Sequence, residues 1–418
     1  MNLRTPASLL LAALSGWSAV HASDKVTVTV ANDLPGARPA ETIVIPFDDV
    51  KSRLPGFAFD QIVVRDATGA IVPFQVTAYK HVHKGPPHYD ELIFQHDFAA
   101  GEKTAVFTVE KSDRPLPPFP SKVYCRPVPE RYDDFAWEND RIGHRIYGAG
   151  LELPSATKDQ MISSGIDIWS KRVRYSIIDH WYHKGHDGLH TDTGEGLDMY
   201  DVGISRGAGG TGIWDGTALH VSKNWRTWLI EADGPIRAVF DLGYEPWDAG
   251  NGVQVSETKR FIVDAGHNLD EIQSTFHFTP AAGSDGTLTV AIGLTEHQPV
   301  ATVAPARNEK AASISLWEEY KSPVDGKLGT GVILAPGTAL AGFAETYTYG
   351  KPPPGTPRGA RPDLLILTKV KPGETISYYA GGGWDKSGDF PDKATWDAYL
   401  ADWSARLASP LKVTLSAP

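Results

Sequence analysis

Short stretches of strictly alternating apolar and polar residues constrain the fold of this chain more than any other feature. Residues 25–30 alternate throughout, and residues 61–65 and 104–109 repeat the pattern between turn-forming residues. Successive side chains of a β-strand point to opposite faces, so the alternation predicts strands with one face toward a core. Similar stretches bounded by glycine and aspartate continue to residue 349, which predicts an all-β protein.

A proline-rich segment divides the chain into two regions. Residues 114–120 contain four prolines, and proline cannot donate the amide hydrogen that a central strand needs. We therefore predict a smaller N-terminal β region over residues 23–120 and a large β-sandwich over residues 121–418. The aromatic and leucine residues of segment 393–409 recur at helical spacing, which predicts a C-terminal helix packed on a sheet.

Composition and charge exclude several classes of protein. Of 418 residues, 41% are hydrophobic and 22% are charged, which excludes a disordered chain, a coiled coil and a polytopic membrane protein. The net charge is −11, and residues 171–174 form the most basic run. A nucleic-acid partner is therefore not expected, because it would need a basic face. An anionic ligand would need a local cationic pocket.

The first residues predict export. Arg4 precedes an apolar stretch over residues 9–20, followed by small residues at the positions that a signal peptidase reads. We predict a signal peptide over residues 1–22 and a periplasmic or secreted protein without a membrane partner, since a permanent span needs about 20 apolar residues. The single cysteine, Cys125, cannot form an internal disulfide and is expected to be a buried, inert thiol.

Chemically active side chains are densest between residues 179 and 201, which contain four of the 14 histidines. Histidine titrates near neutral pH, so this density favours a proton-transfer site over a solvated loop. The candidate donors for zinc or calcium are His183, His186, His190, Asp192, Glu195 and Asp198. Their spacing matches neither a zinc-protease helix nor an EF-hand loop, so we predict no metal and no other cofactor.

A second polar group lies at residues 137–148. If this segment is a strand, Arg141, Arg145 and Tyr147 share one face and can form a clamp for a carboxylate or sulfate. The alternative is an ionic network that only ties strands together, and the sequence favours neither interpretation. Trp169 and Lys171 also share a strand face and suit a sugar subsite, although core packing of Trp169 is the stronger expectation. His81, His83 and His88 form a third histidine group, on a predicted hairpin tip that either closes over a site or is an exposed loop.

Several of these segments resemble one family. Residues 137–148, 190–203, 207–210 and 378–384 are similar to an exported bacterial family described as a domain of unknown function, number 4861, and residues 190–203 are the most specific. The sequence departs from that pattern at residues 81–88, where an acidic, glycine-containing turn is expected.

The resemblance implies a galactose-mutarotase-like supersandwich. It also implies a dehydratase that eliminates water from the non-reducing-end uronic acid of oligosaccharides such as ulvan fragments. Under this interpretation the enzyme clamps the uronate carboxylate, removes the C5 proton and protonates the C4 hydroxyl. We assign His190 as base and Tyr200 as acid, two roles that are open to exchange, with Asp192 or Glu195 orienting the imidazole.

The remaining residues are assigned to substrate binding. Arg141 and Arg145 form the clamp with Lys171 in reserve, and the other members are Tyr147, Trp169, His144, Tyr182 and His183. Two alternatives stay open. A polysaccharide lyase would abstract the same proton but expel a sugar, and a non-catalytic glycan-binding protein would use the tryptophan and arginine residues alone. A mutarotase or epimerase has only fold-level analogy in its favour.

Overall fold

The structure is a computed structural model that describes residues 25–57, 60–79, 88–113, 115–250, 252–297, 305–319, 324–347 and 361–416. The predicted signal peptide, together with His81 and His83 of the third histidine group, lies outside the described residues.

Strands dominate the described residues. In chain order they are β1 (Lys25–Ala31), β2 (Arg38–Pro46), β3 (Ile62–Asp66), β4 (Phe74–Thr77), β5 (Glu91–Phe98), β6 (Thr104–Lys111), β7 (Val123–Val128), β8 (Asp134–Asn139), β9 (Ile142–Ile146), β10 (Asp167–Lys171), β11 (Gly196–Leu197), β12 (Ala208–Trp214), β13 (Leu219–His220), β14 (Thr227–Asp233), β15 (Arg237–Asp248), β16 (Gln254–Asp264), β17 (Leu269–Phe278), β18 (Leu288–Thr295), β19 (Ala306–Asn308), β20 (Ser313–Glu319), β21 (Lys327–Leu334), β22 (Leu340–Tyr347), β23 (Pro362–Val370), β24 (Thr375–Trp384) and β25 (Lys412–Ser416).

Helices are short, apart from the last one. The α-helices of the described part are α1 (Phe47–Arg53), α2 (Ile178–Tyr182), α3 (Gly185–Leu189) and α4 (Lys393–Ala408). Short 3-10 helices occupy Pro129–Arg131, Ala149–Glu152 and Pro154–Asp159. Among the residues described, no helix has both the length and the apolar character needed to cross a membrane.

The N-terminal strands form a small sandwich. One sheet has the order β25-β1-β6-β3 and the other the order β2-β5-β4. The alternating residues Val26, Val28 and Val30 are fully buried between them, as the sequence pattern predicts. The C-terminal strand β25 returns to pair antiparallel with β1, so both ends of the described chain meet in this sheet.

The large sandwich has an eight-stranded layer with the order β14-β15-β16-β17-β24-β21-β20-β19. Two five-stranded sheets, β13-β12-β18-β23-β22 and β11-β10-β9-β8-β7, pack against it around one continuous apolar core. A bridge between Ile166 and Gly207 connects these two sheets. The prediction of an all-β chain with a large sandwich, a smaller N-terminal β region and a C-terminal helix is confirmed. The domain boundaries at residues 22 and 120 stay predictions.

Helix α4 covers the outside of the eight-stranded sheet. Its N-cap Asp392 accepts a hydrogen bond from the Thr395 backbone amide, which satisfies one of the amides left open at a helix start. Trp396 and Leu400 are buried against the sheet. Glycine is required beneath them, because a Cβ on Gly329 would lie 2.7 Å from the Trp396 ring.

The sheet β7–β11 positions the candidate site. Its inner face contributes Trp137 and Ile168 to the main core. Its outer face is covered by the segment that contains α2 and α3, where Trp169 and Trp181 stack with ring centroids 5.7 Å apart. The histidine-rich segment therefore folds back over this sheet.

Candidate active site

Four charged side chains form the centre of the site. Arg145 on β9 donates to Asp167 on β10, with Nη2 2.5 Å and Nε 3.0 Å from Oδ2. The same Nη2 donates to Asp198 Oδ2 at 2.9 Å, and Asp134 Oδ2 lies 3.9 Å from Nε. We call Arg145, Asp134, Asp167 and Asp198 the Arg145 cluster. All three carboxylate side chains are 0% exposed.

The Arg145 cluster contains three carboxyl groups and only one guanidinium. Burial therefore has a large effect on the pKa values of its carboxyl groups. Burial raises the pKa of Asp167 to about 7, with a further increase from Asp198, against the lowering effect of Arg145. Burial also raises the pKa of Asp134 to about 6. Burial opposes the charge of Arg145, but its aspartate partners raise its pKa well above the ordinary value. Burial thus brings the pKa values of Asp134 and Asp167 close to neutral pH, while Arg145 keeps its charge.

Aromatic side chains enclose the Arg145 cluster. The guanidinium carbon lies 5.5 Å from the Tyr147 ring centroid and 5.4 Å from the Trp169 ring centroid. The Tyr147 hydroxyl donates to Asp167 Oδ2 at 3.4 Å, and the Tyr182 hydroxyl donates to Asp134 Oδ2 at 3.3 Å. Such a surrounding excludes water and strengthens the electrostatic interactions inside it. Trp169 is fully buried, as expected for core packing.

His190 lies beside the Arg145 cluster and faces solvent, with 42% of its side chain exposed. Its Nδ1–H donates to the backbone carbonyl of Asp198 at 2.6 Å, because a carbonyl oxygen can only accept. The neutral ring then has its lone pair on Nε2. Partial burial lowers the pKa of His190, although the Asp198 carbonyl opposes this shift. His190 is thus an oriented, neutral imidazole near neutral pH, which is the state that a general base requires.

The other histidines of the segment are more peripheral. His183 is exposed and interacts through Nδ1 with the Asp179 backbone oxygen at 2.6 Å. His186 is 60% exposed, and its ring centroid lies 4.6 Å from that of His190. His180 contacts Glu195 and is 46% exposed. The structure therefore brings His186, rather than His183, next to His190.

The two carboxylates predicted to orient the imidazole are engaged elsewhere. Glu195 accepts hydrogen bonds from four side chains: Lys184, Tyr175, His180 and Trp181. Burial alone would raise the pKa of Glu195, but these donors outweigh it and lower the pKa to about 2. Asp192 pairs with Arg172 and accepts the amides of Gly194 and Gly196. Both carboxylates hold the loop in shape, and Asp198 provides the group that orients His190.

Tyr200 lies in a neighbouring group of side chains. It is 4% exposed, lies beside Thr295, and packs edge-on against His297 with centroids 4.7 Å apart. Burial and the charge of Glu318 raise the pKa of Tyr200 well above its ordinary value. The Tyr200 side chain is therefore buried, whereas 42% of the His190 side chain is exposed.

The two predicted clamp arginines are separated. Arg141 lies in the tight turn between β8 and β9, where its amide donates to Asn139 Oδ1, and this turn removes it from the alternation of the strand. Its guanidinium pairs with Asp389 at 2.8 Å. Arg145 instead contacts Asp167 and Asp198. The expected two-arginine clamp is therefore not formed.

Two further predicted binding residues are buried away from His190. Lys171 Nζ lies 2.5 Å from Glu138 Oε2 and donates to the Asn139 backbone oxygen. His144 faces the opposite side of the sheet, where it stacks on Trp137 with centroids 5.2 Å apart. Burial lowers the pKa of His144 to about 4, so the ring is neutral. Strand alternation explains this placement, since residues 144 and 145 point to opposite faces.

Asp134 and Asp167 were missed by sequence reasoning. Each is the first residue of a strand and is followed by at least two apolar residues, and a buried carboxylate is costly unless it is paired or protonated. That mismatch was the available signal, whereas Asp198 was considered only as a metal ligand. Within the described residues, no group of three or more histidine, cysteine, aspartate or glutamate side chains is arranged to hold a metal ion.

The fold and the site define a large β-sandwich protein with a titratable cluster beneath an exposed histidine. The chain belongs to the family described as Domain of unknown function (DUF4861), whose model matches residues 30–413. The family resemblance of the sequence is thereby confirmed. A relative from Formosa agariphila, named Uncharacterized protein P7, is 34% identical over 406 residues, which cover 94% of each chain.

Solved structures with a similar arrangement are more distant. A glycosyl hydrolase family 38 protein from Enterococcus faecalis aligns with 94% of this chain at 10% identity and a TM-score of 0.45. An alpha-mannosidase from the same species aligns over the same share at 9% identity and a TM-score of 0.48. The chain spans about half of each, 48% and 46% respectively. At these TM-scores the likeness supports no conclusion about activity.

Proposed function

We propose that this protein is a carbohydrate-active lyase that eliminates water from the non-reducing-end uronic acid of oligosaccharides, giving a 4,5-unsaturated uronate. The orientation of His190 carries the proposal. Its Nδ1 is fixed on the Asp198 carbonyl at 2.6 Å, and its unprotonated Nε2 belongs to a ring that is 42% exposed. The proposal includes export, which rests on the signal peptide predicted at residues 1–22.

The first step is proton abstraction. The C5 proton of a uronate is acidic because the adjacent carboxylate can accept charge as an enolate. His190 Nε2 takes this proton and becomes an imidazolium. The Asp198 carboxylate, with Oδ2 3.9 Å from Nδ1, stabilises the new positive charge, as an acidic partner does for other catalytic histidines.

The second step is loss of the C4 hydroxyl. The electron pair from the broken C5–H bond forms the C4=C5 double bond, and the C4–O bond breaks once the oxygen is protonated. The Tyr200 side chain is buried beside Thr295. The proposal therefore assigns the protonation of the C4 oxygen to the His190 imidazolium. The transfer returns His190 to its neutral state and releases one water, provided that C5–H and C4–O lie on the same face of the ring.

The substrate carboxylate needs a cation that is within reach. Arg145 is committed to Asp167 and Asp198 and is only 9% exposed. Arg172 and Lys184 are 33% and 22% exposed and pair with acids of the same loop, so the proposal assigns them to the carboxylate. A charged group already held in a fixed position costs little reorganisation when it binds.

Turnover of uronate-terminated oligosaccharides by the His190→Ala variant tests this assignment. Loss of a positioned base costs roughly 10²–10⁴ in rate, and we expect that loss with an unchanged melting temperature. Mass spectrometry follows the loss of one water, and ultraviolet absorbance follows the conjugated product. His277→Ala, which alters an exposed histidine on β17, is the matched control. Near-normal turnover by His190→Ala would contradict the proposal.

The same experiment separates the alternatives. A polysaccharide lyase would shorten the chain and release a sugar without loss of water. A non-catalytic glycan-binding protein would bind the oligosaccharide and leave its mass unchanged after long incubation. Either outcome would replace the dehydratase proposal.

A further inference from the structure

A cavity lies on the outer side of the eight-stranded sheet, where the small sandwich and α4 meet it. We call it the rear cleft, and its volume is about 530 Å³. Its walls come from β2 of the small sandwich, from β16, β17 and β24 of the eight-stranded sheet, and from α4 with the segment that follows it. Pockets of 300–1,000 Å³ at the junction of two bodies are typical small-molecule sites.

Aromatic rings form one part of the rear cleft. Trp403 lies edge-on to His267, with centroids 4.7 Å apart, and to Tyr379, with centroids 5.9 Å apart. Aliphatic side chains such as Ile43 and Val44 line the wall contributed by β2. An aromatic and aliphatic lining next to polar groups suits a ligand that presents both C–H and hydroxyl surfaces.

The charges of the rear cleft balance. Three arginines and three carboxylates line it: Arg38, Arg237, Arg406, Glu41, Asp264 and Glu271. Arg38 holds Glu41 in a bidentate pair at 2.9 and 3.1 Å. Arg237 holds Asp264 in a second bidentate pair at 2.6 and 2.7 Å. The lining therefore has no net charge that would attract an ion. The guanidinium and carboxylate groups of the two pairs are held in place and can hydrogen-bond to a neutral ligand.

The titratable groups of the rear cleft are occupied, which argues for binding rather than chemistry. His267 Nε2–H donates to the Ala40 backbone oxygen at 2.8 Å, and burial lowers the pKa of His267. Burial would raise the pKa of Asp264, but Arg237 lowers it below its ordinary value. The Tyr379 hydroxyl donates to Glu271 at 3.1 Å. These groups form hydrogen bonds and ion pairs with one another or with the backbone. None of them is arranged for proton transfer to a ligand.

We propose that the rear cleft binds a neutral, hydroxyl-rich ligand, namely a short neutral oligosaccharide, at a site separate from His190. The bound ligand contacts both the small sandwich and the large one, and so stabilises their junction. This inference does not rest on the elimination reaction, because its residues and its ligand class differ from those proposed at His190.

Isothermal titration of the full chain with cellotriose, maltotriose and xylotriose, each alone, tests the proposal. Val44→Trp fills the cleft from a position that is 37% exposed, and tryptophan is well tolerated in strands. We expect it to weaken binding of the preferred trisaccharide by about tenfold or more. Val106→Trp, at a 42% exposed position of the same small sandwich, should stay within about twofold of the parent chain. His190→Ala should bind like the parent chain.

A thermal-shift measurement gives an independent readout. A ligand that binds only the folded state raises the melting temperature with concentration, and Val44→Trp should remove this rise while folding normally. No binding by any of the three trisaccharides overturns the proposal, as does binding that Val44→Trp leaves unchanged. Preferential binding of tri-galacturonate in a way that depends on Val44 would overturn the neutral ligand class.

Discussion

Two buried ionic groups lie at opposite ends of strand β10, on the same face, and they differ in composition. At one end Asp167 belongs to the Arg145 cluster, where one cation meets three carboxylates. At the other end Lys171 meets Glu138, one cation for one carboxylate. Both groups are buried on the same face of one sheet. The main difference between them is the number of carboxyl groups that surround each cation.

The Lys171 end is fully satisfied. Lys171 donates to Glu138 Oε2 and to the Asn139 backbone oxygen. The second Glu138 oxygen accepts from the Ser176 hydroxyl and from the amides of Ile177 and Ile178 at the start of α2. This arrangement anchors the histidine-rich segment to the sheet.

The Arg145 end has an excess of acid, and burial raises the pKa of two of its carboxyl groups. The raised pKa values of Asp134 and Asp167 follow from burial without enough cations. Shifted pKa values of this kind concentrate at functional sites, whereas a balanced pair is the usual structural solution. We infer that the cluster next to the exposed His190 belongs to the proposed active site, whereas the Lys171 pair stabilises the fold.

Removing Lys171 gives the largest expected effect on this comparison. Lys171→Met leaves Glu138 buried without its cation, and breaking one partner of a buried pair costs about 3–5 kcal/mol. Equilibrium unfolding in urea measures the free energy of unfolding. The control is Lys369→Met, because Lys369 pairs with Asp285 at the surface and such pairs contribute about 0–1 kcal/mol. If the two variants lose the same free energy of unfolding, the Lys171 pair does not have the structural role inferred for it.

Asp167→Asn sharpens the comparison through the pH dependence of stability. The folded-state pKa of Asp167 is raised from 3.8 to about 7. The folded state therefore binds more protons than the unfolded state between these values, and stability falls as pH rises through them. Asparagine cannot ionise. The free energy of unfolding of the variant should therefore decline less steeply with pH, by up to about 1.4 kcal/mol per pH unit. Urea unfolding at intervals from pH 4 to pH 7 measures it.

The control for this slope has the opposite shift. Hydrogen bonds from Thr287 and the charge of Lys369 lower the pKa of Asp285 to about 2, so its contribution to stability changes only in more acidic solution. Asp285→Asn should leave the slope between pH 5 and pH 7 unchanged. If Asp167→Asn has the same slope as the parent chain, the pKa of Asp167 is not raised in the folded state as proposed.

The sequence was sufficient for the fold because the deciding signals are local. Alternation in residues 25–30 places Val26, Val28 and Val30 in one core, and the period of two is a property of the strand itself. The spacing of Trp396, Leu400 and Trp403 likewise describes one face of α4, whose burial the structure confirms.

The site depended on pairings that local patterns do not contain. His190 could be singled out from the density of histidines, but Asp134, Arg145 and Asp167 meet only because β8, β9 and β10 are neighbours in a sheet. A strand pattern for residues 141–147 also overlooked the turn that directs Arg141 toward Asp389, 248 residues later. Long-range partners of this kind decide which charged residues are free to act on a ligand.

The smallest expected effect concerns His190, which lies beside the Arg145 cluster. Burial lowers the pKa of His190 below its ordinary value of 6.5, and the Asp198 carbonyl only partly offsets this. A titration followed by NMR should show the His190 imidazole protonating below pH 6.5, with the resonance assigned by its absence from a His190→Gln variant. Asp198→Asn should lower this pKa further, because it removes the carboxylate near Nδ1 and leaves the backbone carbonyl in place. An unchanged pKa in Asp198→Asn would mean that the carboxylate does not stabilise the imidazolium, and His190 would then be oriented by the backbone alone.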